Sequence, residues 1–269
     1  MAISIPAKVN NRILTGVKKY RPIIEKAKHL DVNESDTVTI VTDILCDIFG
    51  YDKYTEITSE YAVKKTFCDL AIKIDGEPRF LVEIKSAGLD LKEGHVRQAA
   101  NYGTSSGIEW VVLTNGVIWK VYKIIFSKPV DMELVYEFDL TEINSKKSED
   151  IELLFYLTKE AMSKHSRPSL SDYHTQKQII NKVTIGQILL SEKLLTSIRL
   201  VLKKLSPEAK VSNDEIKQML VAEVIKREVL ENEKTGEIKK KIAKLEKQAS
   251  KTQKQKYSKP NLVEKEGLD

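Results

Sequence analysis

The chain has 269 residues, 41% of them apolar and 31% charged, with a formal net charge of +5. That length accommodates one substantial globular domain plus a further segment. No run of about 18 or more apolar residues occurs, so a membrane-spanning helix is excluded, and the opening stretch MAISIPAKVNNR lacks the apolar core of a secretory signal.

The charge is unevenly placed. Residues 234–269 hold eleven lysines against five acids, which leaves the rest of the chain near neutrality. Such a tail either binds polyanions or serves as a solvated end. Cys46 and Cys68 lie in apolar segments without metal-type spacing. They read as buried thiols of a reducing cytoplasm rather than as a disulfide.

In chain order, the first clear element is a helix over 33–50. Asn33 or Ser35 caps it, Val38, Val41, Ile44, Leu45 and Ile48 recur at helical spacing, and Gly50 stops it. Strands are expected over 54–61, 66–74 and 79–85, with Asp75-Gly76 as a hairpin turn between the last two. Residues 89–105 return to helical spacing. Trp110–Thr114 is nearly continuously apolar, as a strand buried on both faces should be. Asn115-Gly116 then turns the chain into a strand over 117–123, and 133–138 adds an edge strand. Beyond residue 140 the pattern is helical, over 149–162, 171–181, 186–205 and 213–232, the last with Asn213 as its cap. Thr235-Gly236 breaks that pattern, and the lysine-rich remainder either extends as an exposed helix or stays disordered. The expected organisation is an α/β core with a mixed central sheet over 1–140, a helical appendage over 141–235, and a basic tail over 236–269.

Three short pieces carry the chemistry: Asp69 on one strand, Glu83-Ile84-Lys85 on the next, and Gln98 with Tyr102 on the helix after it. Strand side chains alternate, so Glu83 and Lys85 share a face while Phe80, Val82 and Ile84 make the other face apolar. A three-residue loop centred on Gly76 pairs Asp69 with Glu83, and a five-residue loop pairs it with Lys85. A two-residue loop puts Asp69 opposite Val82 and spoils the site. Even parity is the expectation, because Leu70, Ile72 and Ile74 then join the apolar face. Two carboxylates at cross-strand distance repel and need a cation. Lys85 supplies part of it and a hard divalent metal such as Mg²⁺ the rest, since Mg²⁺ binds through one or two carboxylates, waters and phosphate oxygens. Lys85 would then orient or deprotonate a water, or stabilise developing charge. Gln98 and Tyr102 are four apart on one helix face. Gln98 could hold substrate or water, and Tyr102 could contact phosphate. The same triplet also reads as an ordinary strand end with a surface ion pair.

With these residues in place the chain resembles the PD-(D/E)xK nuclease superfamily, and more narrowly the N-terminal nuclease domain of type I restriction enzyme R (HsdR) subunits. The resemblance rests on Asn33-Glu34, Asp43-Ile44-Leu45, Phe49-Gly50-Tyr51, Cys68-Asp69-Leu70-Ala71-Ile72, Leu81-Val82-Glu83-Ile84-Lys85, Gln98-Ala99-Ala100-Asn101-Tyr102, Val112-Leu113-Thr114-Asn115-Gly116 and Trp119, across roughly 25–140. It implies Mg²⁺-dependent cleavage of DNA, with Mn²⁺ as a substitute. Asp69, Glu83 and the backbone carbonyl of Ile84 would be metal ligands and Lys85 the catalytic lysine. Gln98 and Tyr102 match the Q-x-x-x-Y motif of the RecB-like branch. Glu34 matches an acid on the first helix that approaches the metal, although an acid in a first turn is also explained by the helix dipole. Glu60 is a further candidate.

The departures are equally informative. The chain contains no G-x-x-x-x-G-K-[ST] phosphate loop, so no ATP site is expected and the chain reads as a stand-alone relative of the motor-bearing subunits. The helical appendage would dimerise, bind DNA or dock a protein partner. His29, His95, His165 and His174 show no ligand spacing, and His95 lies either at the site rim or on the surface. The alternative from another class is a non-catalytic nucleic-acid-binding or regulatory module on a nuclease scaffold.

Overall fold

The computed structural model describes residues 3–63, 66–127, 129–163, 169–208 and 210–257, with the side chains of 61–67, 98–99, 102 and 247–257 outside the description. It divides into two compact units, Met1–Thr175 and Gln176–Asp269.

The first unit is an α/β structure built on a six-stranded mixed sheet: β1 (Ile57–Val63), β2 (Thr66–Ile74), β3 (Glu77–Ile84), β4 (Trp110–Thr114), β5 (Ile118–Ile125) and β6 (Asp131–Asp139), in that spatial order. Only β3 and β4 run parallel. The crossover between them is α3 (Glu93–Ser106), because parallel neighbours need a long connection. The other neighbours pair antiparallel.

Two apolar layers cover the sheet. Leu70, Ile72, Ile74, Phe80, Val82, Ile84, Val112 and Trp119 face one core, shared with Ile13 and Ile24 of α1 (Ala7–His29) and Val41, Ile44 and Leu45 of α2 (Glu34–Asp47). Ala71, Leu81, Val111 and Leu113 face the other, with Val96 and Ala100 of α3. The period-2 segregation expected for β2 and β3 is therefore observed. Gly103 of α3 has no room for a side chain, since an added Cβ would lie 2.8 Å from the Ile108 carbonyl oxygen.

Three differences from the sequence expectations have physical reasons. Helix α1 was not among the expected elements. Its buried stripe of Val9, Ile13, Val17, Tyr20, Ile24 and Ala27 has helical spacing, but Pro22 lies inside it, where proline normally argues against a helix. The segment after residue 140 does not begin a separate appendage. Helices α4 (Ser148–Phe155), α5 (Lys159–Met162) and α6 (Leu170–Ile179) follow, and Ile151, Leu154, Phe155, Leu157, Ala161 and Leu170 complete the first core. Arg12 ties α1 to α5 through two contacts with Glu160, at 2.6 and 2.8 Å. Finally, Cys46 is only half-buried, whereas Cys68 is buried.

The second unit is helical: α7 (Lys182–Leu189), α8 (Glu192–Leu205), α9 (Asn213–Met219), a π-helical turn (Leu220–Val224), α10 (Arg227–Leu230) and α11 (Thr235–Tyr257). The expected helix over 186–205 is thus broken at Leu190-Ser191. Ser212 rather than Asn213 caps α9, in a reciprocal capping box with Glu215. Thr235 opens α11 instead of ending the helical pattern.

Candidate functional site

The geometry of the candidate site starts in the β2–β3 hairpin. Asp75 (φ 55) and Gly76 (φ 77) both adopt left-handed backbone, the pair of conformations that a two-residue type I′ turn requires. Ile74 pairs with Glu77, so the loop is two residues long. The three- and five-residue loops are corrected by this finding. On its own, the tight turn would place Asp69 opposite Val82. A β-bulge restores the parity: Lys73 pairs with Pro78 and Ile72 with Phe80, so Arg79 is an unpaired extra residue. Beyond it Leu70 pairs with Val82, and the same register continued by one step brings Asp69 opposite Glu83.

Strict alternation holds from Leu70 to Ile74 and breaks at Asp69, because Cys68 joins the layer of Ala71 and Leu81 rather than that of Leu70. The Asp69 carboxylate is turned to the main chain of β3, where its Oδ2 accepts the Ile84 N–H at 2.6 Å. Among the described residues Oδ1 has no hydrogen-bond partner. Burial raises the Asp69 carboxyl above its ordinary pKa, against the lowering effects of the Ile84 N–H and Lys85.

Glu83 is buried, with 4% of its surface exposed, which is rare for a carboxylate. Its Oε1 accepts from Lys85 Nζ at 2.8 Å. Its Oε2 lies 4.0 Å from the Cys68 thiol, which also donates to the Val82 carbonyl at 3.3 Å. Burial pushes the Glu83 carboxyl upward; Lys85 opposes this, and the Asp69 charge adds to it. Burial also acts to lower the Lys85 ammonium pKa, but Glu83, Glu34 and Asp69 outweigh it and hold the ammonium above its ordinary value. The Cys68 thiol is pushed up to about 12 by burial and the neighbouring carboxylates, so it stays protonated.

Glu34 follows the Asn33 cap of α2, whose side chain accepts from the Asp36 N–H. Its carboxylate is half-exposed and lies 3.5 Å from Lys85 Nζ. Lys85 thus stands between Glu83 and Glu34. Among the described residues no three histidine, cysteine or acidic side chains gather as a metal-holding group. Glu60 is exposed and left-handed (φ 47) on β1, and shows no contact with Lys85. Gln98 and Tyr102 lie on α3, but their side chains fall outside the described residues. His95 closes the first turn of α3, its Nδ1 accepting from the Lys92 N–H at 3.3 Å.

The sequence reading took Asn115 as a turn residue and as part of the family resemblance, without a role at the site. The structure gives it and its neighbour a supporting role. The Lys85 N–H donates to the Thr114 carbonyl at 2.9 Å. Asn115 Oδ1 accepts from the N–H groups of Val117 and Ile118, while its Nδ2 donates to the Leu89 carbonyl at 2.9 Å. Lys120 Nζ adds a bond to the Leu91 carbonyl at 3.3 Å. The β4–β5 turn therefore anchors the loop that leaves the Glu83-Ile84-Lys85 strand end. Burial of Asn115 at 5% exposure was the signal that sequence alone did not carry.

Searches of curated proteins and of solved structures found no match to this chain. The family model described as the type I restriction enzyme R protein N terminus matches residues 40–136. That span runs from α2 to β6 and contains Asp69, Glu83, Lys85, Gln98 and Tyr102, while Glu34 lies just before it. Residues 40–136 thus match the restriction-enzyme R-subunit N-terminal family.

Proposed function

We propose that the first unit is a metal-dependent DNA nuclease module related to restriction–modification systems. The observation that supports this reading best is the buried Glu83, bonded to Lys85 at 2.8 Å, at the strand end where Asp69 is held against the Ile84 N–H. Two carboxylates whose charged forms are disfavoured by burial, facing one ammonium, are short of positive charge. Their oxygens are hard donors, which suits Mg²⁺, with Mn²⁺ as a substitute. Asp69, Glu83 and the Ile84 carbonyl would hold the ion, and Glu34 is the nearest further acid through Lys85. When bound, such an ion supplies a Lewis acid that acidifies water and neutralises phosphoryl oxygen charge.

The chain's own groups then have definable tasks. Lys85, charged and anchored between Glu83 and Glu34, orients the attacking water or stabilises charge building on the phosphate. Glu83 fixes the Lys85 ammonium. Thr114 and Asn115 keep the strand end and its outgoing loop in place. Gln98 and Tyr102 complete the motif and contact substrate. Exposed Leu200, Val201 and Leu205 of α8 support a role for the second unit in binding a protein partner or a second copy.

A second reading is a non-catalytic nucleic-acid-binding module. It is favoured by the charge balance of Lys85 between two acids, which also describes a structural ion-pair network. A plasmid-nicking assay with Mg²⁺, Mn²⁺ or EDTA separates the two. Metal-dependent nicking that falls at least about a hundredfold in Glu83→Ala and in Lys85→Ala supports the nuclease. DNA binding without nicking in the parent establishes the binding module.

A further inference from the structure

The second unit is short of a core. Among the described residues its buried apolar side chains are four: Val183, Leu195, Ile216 and Val229. Eleven large apolar side chains of the same unit are exposed, against eight in the much longer first unit. So small a core does little to offset the conformational entropy lost in ordering the helices, and the exposed side chains are the surface a partner would cover.

Helix α8 concentrates that surface. Leu194, Ile198, Val201 and Leu205 recur at spacings of four, three and four residues, which puts them in one stripe along the helix. Leu194 and Ile198 are half-buried, while Val201 and Leu205 are 56% and 78% exposed. Leu195, beside the stripe, is the side chain that α8 buries within its own unit. With half-buried Leu202 included, the open apolar surface on α8 is on the order of 400 Å², the size of a contact site. That is about half of the roughly 800 Å² each partner gives to a stable dimer, and the apolar share of such an interface is near one half.

The order of the side chains selects the occupant. Leu-Ile-Val-Leu has its γ-branched members outside and its β-branched members inside, so the stripe reads alike in both directions. Two copies packed antiparallel across a two-fold axis set Leu194 against Leu205 of the second copy, and Ile198 against Val201 of the second copy. The same arrangement opposes the two helix dipoles. It also turns the Lys203-Lys204 end of each helix toward the Glu192 end of the other, whereas a parallel pair would gather four lysines at one end.

We propose that α8 is the interface between two copies of this chain, paired antiparallel through Leu194, Ile198, Val201 and Leu205. The inference rests on the partner role proposed above for the second unit and not on the nuclease site, so its failure leaves the nuclease reading standing.

The test uses the full chain in EDTA, without DNA. Sedimentation equilibrium over about a hundredfold range of concentration should show twice the chain mass, giving way to the monomer on dilution. Val201→Lys combined with Leu205→Lys puts unpaired charges into the seam at exposed positions where a base suits the helix end. The dissociation constant should rise at least about a hundredfold, with the helical circular dichroism kept. A parent that stays monomeric overturns the proposal. So does a folded lysine variant that still dimerises, since the contact then lies on another surface. Conservative cysteine variants test the orientation and decide the matter if the lysine variant unfolds. Mild oxidation of Leu194→Cys chains mixed with Leu205→Cys chains should give linked dimers, with the parent as blank. Leu205→Cys chains alone should give none, because eleven residues of helix, roughly 16 Å, then separate the two thiols along the axis. No linkage in the mixture, or linkage in Leu205→Cys alone, overturns the antiparallel pair.

Discussion

Asp69 Oδ2 accepts the Ile84 N–H at 2.6 Å, so this carboxylate finishes the main-chain pairing of β3 as well as facing the lysine two residues away from Glu83. The two tasks can be separated. Asn carries an oxygen that accepts the same bond, but no charge. Asp69→Asn is expected to unfold within about 1 kcal/mol of the parent in urea, while nicking falls at least about a hundredfold. Parent-level nicking would remove Asp69 from the reaction.

The bulge can be tested by removing it. Deleting Arg79 leaves a two-residue turn with odd parity, which moves Phe80, Val82 and Ile84 relative to Leu70 and Ile72. A loss of more than about 2 kcal/mol in urea unfolding is expected, because one whole apolar face is mispaired. A deletion variant as stable as the parent would show that the turn, not the bulge, absorbs the change.

The Arg12–Glu160 pair should be visible in the pH dependence of stability. Burial pulls the Glu160 carboxyl upward, but the Arg12 hydrogen bonds outweigh it and leave it below its ordinary value. A depressed carboxyl stabilises the fold above its unfolded pKa and loses that contribution as pH falls through the folded one. Glu160→Gln should cost about 1 kcal/mol at pH 7, a modest figure because the side chain is 40% exposed and water screens the pair. The gap between variant and parent should close on acidification toward the depressed pKa, measured by urea unfolding across that range. A gap independent of pH would mean the contact acts through packing.

The basic C-terminal segment makes a separate prediction. Removing 236–269 takes away ten lysines and five acids. If α11 contacts DNA phosphates, log affinity against log salt should flatten by about 0.9 per lost contact. An unchanged slope would leave the segment as a solvated end.

Much of the first unit was legible in the chain. The bounds of β2 and β4 and the division of Leu70, Ile72 and Ile74 from Ala71 follow from local periodicity, because burial of one strand face imposes a period of two, and of the two caps the sequence offered for α2, Asn33 and Ser35, the structure selects Asn33. The order Asp69, Glu83, Lys85 was legible for the same reason. Helix α1 was obscured by Pro22, whose local cost is outweighed by the burial of Ile13, Val17 and Ile24 on α2 and the sheet.

The sequence by itself therefore determined which residues lie inside, where most strands run and which charged groups are candidates. Tertiary structure decided how those groups meet. The Asp75-Gly76 turn favours one parity and the bulge at Arg79 reverses it, a choice made by packing Phe80, Val82 and Ile84 into a core assembled from distant helices. The approach of Glu34 to Lys85, the clasp of Asn115 on Leu89 and the inclusion of Leu154 and Phe155 in the first core likewise join residues far apart in the chain. Local pattern carries no record of such distances, since they are fixed by close packing of surfaces that exist only once the elements have assembled.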